Sequence, residues 1–418
     1  MSCTVDALLK RRFVARVILS CVLLGVAACA SAADGQAGVS LSLAGQWRFQ
    51  TDPEGKGEQQ RWFERQLPQS IRLPGSMLGN DLGEEVTVET PWTGSILDRS
   101  WFDDPRFEPY RKPGNIKLPF WLTPAKHYVG PAWYQKDITI PQEWAGKQVT
   151  LFLERCHWET AAWLDGRRIG DCNSLATPHE YDLGSPDPGP HTLSIRVDNT
   201  VRITVGQDAH SVSDHTQTNW NGIIGAIELR ARDAVWIEDV QVYPDVSNKS
   251  VRVHVVLRND TGSTVSGRLN VTTTGSTIVP DQLREFTAAQ KESSVELVYG
   301  MGEDVLLWDE FSPDLYRLTV SISGAGSTAT RTVTFGMRQM GMEGTQFTIN
   351  GRKTFLRGTL ECCIFPRTGY PPTDVESWRK VLTTVKAYGL NHLRFHSWCP
   401  PEAAFQAADE LGVMYHVE

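Results

Sequence analysis

Asn391-His392-Leu393-Arg394-Phe395-His396 is the stretch whose alternation decides the reading of this chain. Leu393 and Phe395 point one way in an extended backbone, and His392, Arg394 and His396 point the other. The same pattern flanks it: Phe355 to Leu360 before, and Val413 to Val417 after. Between these three strands the period changes to that of helices. Trp378, Val381, Leu382 and Val385 fall at i, i+3, i+4 and i+7 over Asp374 to Tyr388. Thr373-x-x-Glu376 reads as a capping box there, and Gly389 stands where a C-cap belongs. A second helix runs from Pro401, a first-turn proline, to Leu411 and buries Phe405, Ala408 and Leu411, with Gly412 closing it. The order strand, helix, strand, helix, strand predicts a parallel β/α sheet.

Strands covered on both faces by helices usually read as unbroken apolar runs. These alternate instead. Leu356, Leu360, Leu393, Phe395, Val413, Tyr415 and Val417 are expected against the helices, and Arg357, Glu361, His392, Arg394, His396, His416 and Glu418 on the opposite face. In a (β/α)8 barrel that second face points to the axis, and polar groups at the carboxyl ends of the strands build the active site. The plainer reading of any one of these charges is a structural ion pair. Three strands with the same asymmetry favour a site. The turn after the first strand, Gly358-Thr359-Leu360-Glu361-Cys362-Cys363, carries no dinucleotide fingerprint.

Upstream, residues 41–243 show short alternating runs broken by Gly, Pro, Asn and Asp, such as Gln148 to Leu153 and Thr160 to Leu164 followed by the hairpin pair Asp165-Gly166. This predicts an all-β sandwich, most simply a jelly roll. Residues 244–338 hold a second β-rich stretch, with Val251 to Leu257 and Tyr316 to Val320 as clear strands, whose size suits a seven-stranded immunoglobulin-like sandwich. The expected fold class is therefore mainly β and multidomain: jelly roll, immunoglobulin-like sandwich, then from residue 339 the first three β/α units of a TIM barrel.

The N-terminus joins Lys10, Arg11, Arg12 and Arg16 to an apolar run from Val17 to Ala28, too short to span a membrane and shaped like a secretory leader covering residues 1–32. Two cleavage readings stand side by side. Ala30-Ser31-Ala32 fits a small-x-small site, and Val26-Ala27-Ala28-Cys29 fits a lipobox that would put a lipid anchor on Cys29. Both imply export: periplasmic, outer-membrane-attached or secreted. The formal charge is −8, and the leader itself holds four basic residues and one acid, which leaves −11 on the remainder. That sign excludes nucleic acid as a partner. Of eight cysteines, Cys156, Cys172, Cys362, Cys363 and Cys399 follow the leader, an odd number with no zinc-finger spacing. Neither a metal nor a cofactor is expected.

Several local patterns resemble glycoside hydrolase family 2, the group of β-galactosidases, β-glucuronidases and β-mannosidases. Leu43-Ala44-Gly45-Gln46-Trp47-Arg48-Phe49 is similar to that family's first strand, and Leu73-Pro74-Gly75-Ser76 to the turn after it. Gly130-Pro131-Ala132-Trp133-Tyr134, Asn221-Gly222-Ile223, Leu307-Trp308, Asp314-Leu315-Tyr316 and Phe335-Gly336-Met337-Arg338 follow in the family's order across nearly the whole mature chain. The barrel motifs depart from it. Gly-x-Asn-x-His is replaced by Gly358-Thr359-Leu360-Glu361-Cys362, and the second strand keeps Asn391 and Arg394 but continues Phe395-His396-Ser397-Trp398-Cys399-Pro400. An acid common in the family falls at Thr216, with Asp214 as its substitute.

The resemblance implies hydrolysis of O-glycosyl bonds of β-glycosides by a retaining mechanism, with two carboxyl groups about 5 Å apart. It sets these on the fourth and seventh barrel strands, so no catalytic residue is assigned here; Glu361 and Glu418 as the pair are the lesser reading. Glu361, Arg394, His396, Trp398, Glu418 and Asp214 are expected to line the substrate pocket, with Arg394 keeping the nucleophile ionised. An oligosaccharide or simple glycoside is the expected partner. A barrel takes around 250 residues, and the sequence ends at Glu418. The expectation is a barrel interrupted after three strands, silent alone and prone to aggregate at its open edge. A non-catalytic carbohydrate-binding or scaffolding protein is the alternative, and a metal-dependent barrel hydrolase is disfavoured by the missing His-x-His.

Overall fold

Alternation of apolar and polar residues builds the first two sheets. The computed structural model describes residues 39–87, 90, 100–115, 124–203, 210–212, 219–275, 279–324 and 326–418; residues 1–32, expected as a leader, with Cys29 among them, lie outside. One sheet runs Val39–Ser42, Gly222–Arg232, Gln148–His157, His179–Gly184, with Gly75–Ser76 beside the second of these. The other runs Arg167–Asn173, Glu159–Leu164, Gly189–Asp198, Pro131–Ile140, Gly45–Thr51, Gln69–Leu73. Their inward residues, among them Trp47, Phe49, Tyr134, Leu151, Leu153, Ile195 and Leu229, form one buried core. Burial of this apolar area, at about 25 cal/mol per Å², is what holds the sheets face to face.

A second sandwich pairs a sheet of Val235–Asp245, Ser250–Asn259 and Lys291–Gly300 with one of Gln282–Ala288, Val265–Thr274, Tyr316–Gly324 and Ser327–Phe335. Its core includes Val235, Ile237 and Val240. The boundary expected at 243/244 therefore falls earlier, between Arg232 and Val235, because the strand Val235–Asp245 hydrogen-bonds along its length to Ser250–Asn259. Alternation alone could not separate that strand from the preceding sandwich.

After a small sheet of Met340–Glu343, Gln346–Ile349 and Arg352–Lys353 comes the parallel unit. Strands Gly358–Glu361, His392–Phe395 and Met414–Val417 pair in that order, parallel throughout. Helices Val375–Ala387 and Glu402–Leu411 connect them. Trp378, Leu382 and Val385 of the first helix and Ala403, Ala404, Ala407 and Ala408 of the second are buried against Leu393 and Phe395. Three local expectations are corrected. Asp374, not Thr373, caps the first helix, its carboxylate accepting from the Ser377 amide at 2.8 Å. Val381 is exposed. The second helix buries its alanine stripe, with Phe405 and Leu411 only partly covered. Gly412 ends that helix at φ 70°, and a Cβ there would meet the Glu310 carbonyl oxygen at 2.9 Å.

The parallel unit is fastened to both sandwiches. The Trp308 indole donates to the Asp409 carbonyl at 2.7 Å, and Arg357 pairs with Glu310 at 2.6 Å. From the first sandwich, Ser76 Oγ donates to the Thr368 carbonyl at 2.5 Å. Arg155 donates to the carbonyls of Cys399 at 2.5 Å and Pro400 at 3.1 Å, and Trp220 packs on Tyr370 with ring centroids 5.6 Å apart.

Candidate active-site rim

Asn391 sets the entry to the parallel sheet. Fully buried, it accepts from the Arg357 amide at 2.8 Å and donates to the Phe355 carbonyl at 3.1 Å, aligning the first two strands. The resulting register places Leu360, Arg394 and His416 side by side, with Gly358, His392 and Met414 two residues earlier on the same face. Glu361, Phe395 and Val417 share the other face. A Cβ at Gly358 would lie 2.5 Å from His392 Nδ1, so any larger residue there would displace that ring.

On the first face, Arg394 Nη2 meets Glu418 Oε2 at 2.6 Å, with both side chains partly exposed. His396 Nε2 lies 3.9 Å from the same oxygen. Loss of hydration at Glu418 opposes its ionisation, but the Arg394 guanidinium outweighs it and holds the carboxyl below its ordinary range. His392 is pushed down, first by burial and then by His416, whose ring centroid is 6.2 Å away. The rim therefore combines one anionic acceptor, one fixed cation and a row of imidazoles, a donor and acceptor set suited to a polyhydroxylated or acidic ligand.

Arg394, His396 and Glu418 are brought together on this face. Others are not. Glu361 sits opposite, in register with buried Phe395, and its carboxylate accepts from the Cys363 amide at 2.8 Å. Burial raises its pKa to about 7, ahead of the hydrogen bonds that lower it. Leu360, expected against the helices, is 48 % exposed on the Arg394 face. Since side chains alternate with period two, a one-residue error in register exchanges the two faces of a strand. Arg357 is spent on Glu310 and on the Gly389 carbonyl at 2.8 Å. Trp398 is only 5 % exposed; it packs on Phe395 and Trp378, with centroids at 5.1 Å and 6.5 Å, and its indole NH points to the Glu361 carbonyl. A ring so enclosed has no face left for a sugar. Asp214 lies outside the described residues.

Sequence reasoning set Cys362 aside for want of zinc-finger spacing and passed over His210 and Arg155. His210 is buried and lies with its ring centroid 4.5 Å from that of His396. Arg155 closes on loop carbonyls more than two hundred residues away. No local pattern signals either residue; both act across the contact between the first sandwich and the parallel unit.

The chain, two sandwiches followed by a parallel sheet whose polar face opens at the strand ends, is similar to the family 2 glycosyl hydrolases: residues 235–338 match the sequence profile described as Glycosyl hydrolases family 2. A β-glucuronidase of Paenibacillus borealis is 23 % identical over 336 residues, covering 76 % of this chain and 48 % of that protein. A β-galactosidase of Arthrobacter sp. (strain B7) is 25 % identical over 393 residues, covering 89 % and 34 % respectively. The chain thus spans about half or less of the length of these curated relatives. Among solved structures, the β-glucuronidase from Ruminococcus gnavus in complex with D-glucuronic acid superposes with a TM-score of 0.66 at 19 % identity, covering 91 % of this chain and 60 % of that one. The likeness in fold is mainly β with few helices.

Proposed function

We propose that this chain forms the substrate-orienting body of a β-glycosidase that cleaves O-glycosyl bonds by a retaining, two-carboxylate route. The first sandwich is read as a jelly roll resembling sugar-binding domains, the second as immunoglobulin-like, and the parallel unit as the opening sector of a (β/α)8 barrel. Residues 1–32 are read as an export leader. The observation that carries the proposal is the Arg394–Glu418 pair with His396 at the carboxyl ends of adjacent parallel strands, where a barrel presents its site. Arg394 supplies a fixed positive charge that favours an ionised carboxylate nearby. Glu418 and His396 offer hydrogen bonds to sugar hydroxyls. The acid/base and nucleophile glutamates belong, by the family resemblance, to later barrel strands, and the rim residues named here are read through ligand binding.

Titration calorimetry of the chain with uronic acid and galactoside ligands tests this. Binding weakened roughly 10-fold by Arg394→Ala, as loss of a charged hydrogen bond predicts, is the expected result. Affinity unchanged by Arg394→Ala and by Glu418→Gln would remove the site from this rim. Turnover of an aryl β-glycoside by these 418 residues alone would overturn the assignment of the two catalytic carboxylates to later strands.

A further inference from the structure

We propose that His210, Cys362 and His396 bind a borderline divalent transition metal, zinc by preference, at the seam between the first sandwich and the parallel sheet. The three come from separate places. His210 lies in the connection that follows the strand Gly189–Asp198, Cys362 follows Gly358–Glu361, and His396 follows His392–Phe395. Their donor atoms nevertheless all fall within 4.8 Å of one another. A tetrahedral zinc with nitrogen at about 2.0 Å and sulfur at about 2.3 Å needs donors about 3.3–3.7 Å apart. Side-chain rotation of about an ångström closes that difference, and the two imidazoles already lie at 54° to each other.

Donor chemistry selects the ion. Two imidazoles and a thiolate are borderline-soft ligands that suit zinc and its transition-metal neighbours; calcium and magnesium demand oxygen. Three protein ligands leave one position open. Glu418 Oε2, 3.9 Å from His396 Nε2 and held by Arg394, provides an acceptor for a water bound there.

The frame around the cluster is already fixed, as metal sites require of their outer shell. The His396 amide donates to the Glu361 carbonyl at 2.9 Å. His157 bridges the Ser211 carbonyl at 3.0 Å and the Trp220 carbonyl at 2.7 Å, holding the segment that carries His210. Cys362 and His396 are half-buried, which leaves an ion a path in from solvent, while His210 closes the inner side at 8 % exposure. The bound ion ties the first sandwich to the rim of the parallel sheet, a junction that spacing could not reveal because His210 and Cys362 are far apart in sequence.

The test uses the untagged full chain, stripped with a chelator and titrated with cobalt(II). One equivalent binds and produces a thiolate-to-cobalt charge-transfer band in the near ultraviolet. Cys362→Ser abolishes the band and weakens cobalt binding roughly 100-fold or more, as removal of one ligand from such a site predicts. His210→Gln weakens binding similarly, and Cys172→Ser, in the first sandwich, leaves both readouts unchanged. Cys362→His guards against misfolding: it restores binding without the band. Absence of the band at saturating cobalt, or equal affinity in wild type, Cys362→Ser and His210→Gln, overturns the proposal.

Discussion

Replacing Glu361 by glutamine gives the sharpest test of how the parallel unit is built. The carboxyl is largely buried beneath the sheet, with a pKa raised from 4.5 to about 7 by loss of hydration. At about 1.4 kcal/mol for each tenfold change in proton affinity, ionising it costs about 3 kcal/mol more in the folded chain than in the unfolded one. Below about pH 4.5 both states are protonated and nothing is lost. Between there and about pH 7 the unfolded chain releases its proton while the folded chain keeps it, so stability falls as pH rises, and above pH 7 the full cost applies. The glutamine still accepts from the Cys363 amide but never ionises. Relative to wild type, Glu361→Gln should therefore gain about 3 kcal/mol between about pH 4.5 and pH 8. Denaturant unfolding of both proteins across that range measures it. His179 and His392, whose pKa values burial lowers, impose the opposite pH trend but are common to both chains and cancel in the difference. A difference constant to within about 0.5 kcal/mol, the scatter of inert surface substitutions, would refute the claim that Glu361 is held away from water.

Trp398→Ala should lower stability by about 3–5 kcal/mol in thermal unfolding, the range for excising a buried aromatic side chain, because the indole fills the core between Phe395 and Trp378; loss of ligand affinity with stability intact would return it to the pocket. Asn221→Ala should cost about 3 kcal/mol in denaturant unfolding. It strands the buried Tyr134 hydroxyl, which now donates to Asn221 Oδ1 at 2.6 Å, and the carbonyls of Gly130 and Val197, which accept from Asn221 Nδ2 at 3.0 and 3.1 Å.

What could be read in advance followed the strength of each local signal. The helix Val375–Ala387 is legible because its apolar spacing runs over three turns; its cap was displaced by one residue because Thr373 and Asp374 are both good N-cap residues. The strands around Leu393 and Tyr415 alternate cleanly, and Leu393 and Phe395 lie buried as that alternation requires. Gly358-Thr359-Leu360-Glu361 holds a single apolar residue, too little to define a face, and there the assignment reversed. Trp398 shows a different limit. An aromatic just beyond a strand end can stack on a ligand or plug a core, and only the neighbours Phe395 and Trp378 decide between them. His210 and Arg155 were invisible for a third reason, since each matters through a partner far along the chain.

The three fastenings between the first sandwich and the loops after the parallel strands have a consequence for how such a molecule diversifies. Ser76, Arg155 and Trp220 each end on the backbone or a ring of a rim loop, whereas the alignment of the sheet itself depends on Asn391. Lengthening or shortening a turn near any of the three would reshape the entrance while leaving strand pairing intact. The shape of this rim can thus drift through insertions in a neighbouring β layer, and the parallel layer need not relearn how to fold.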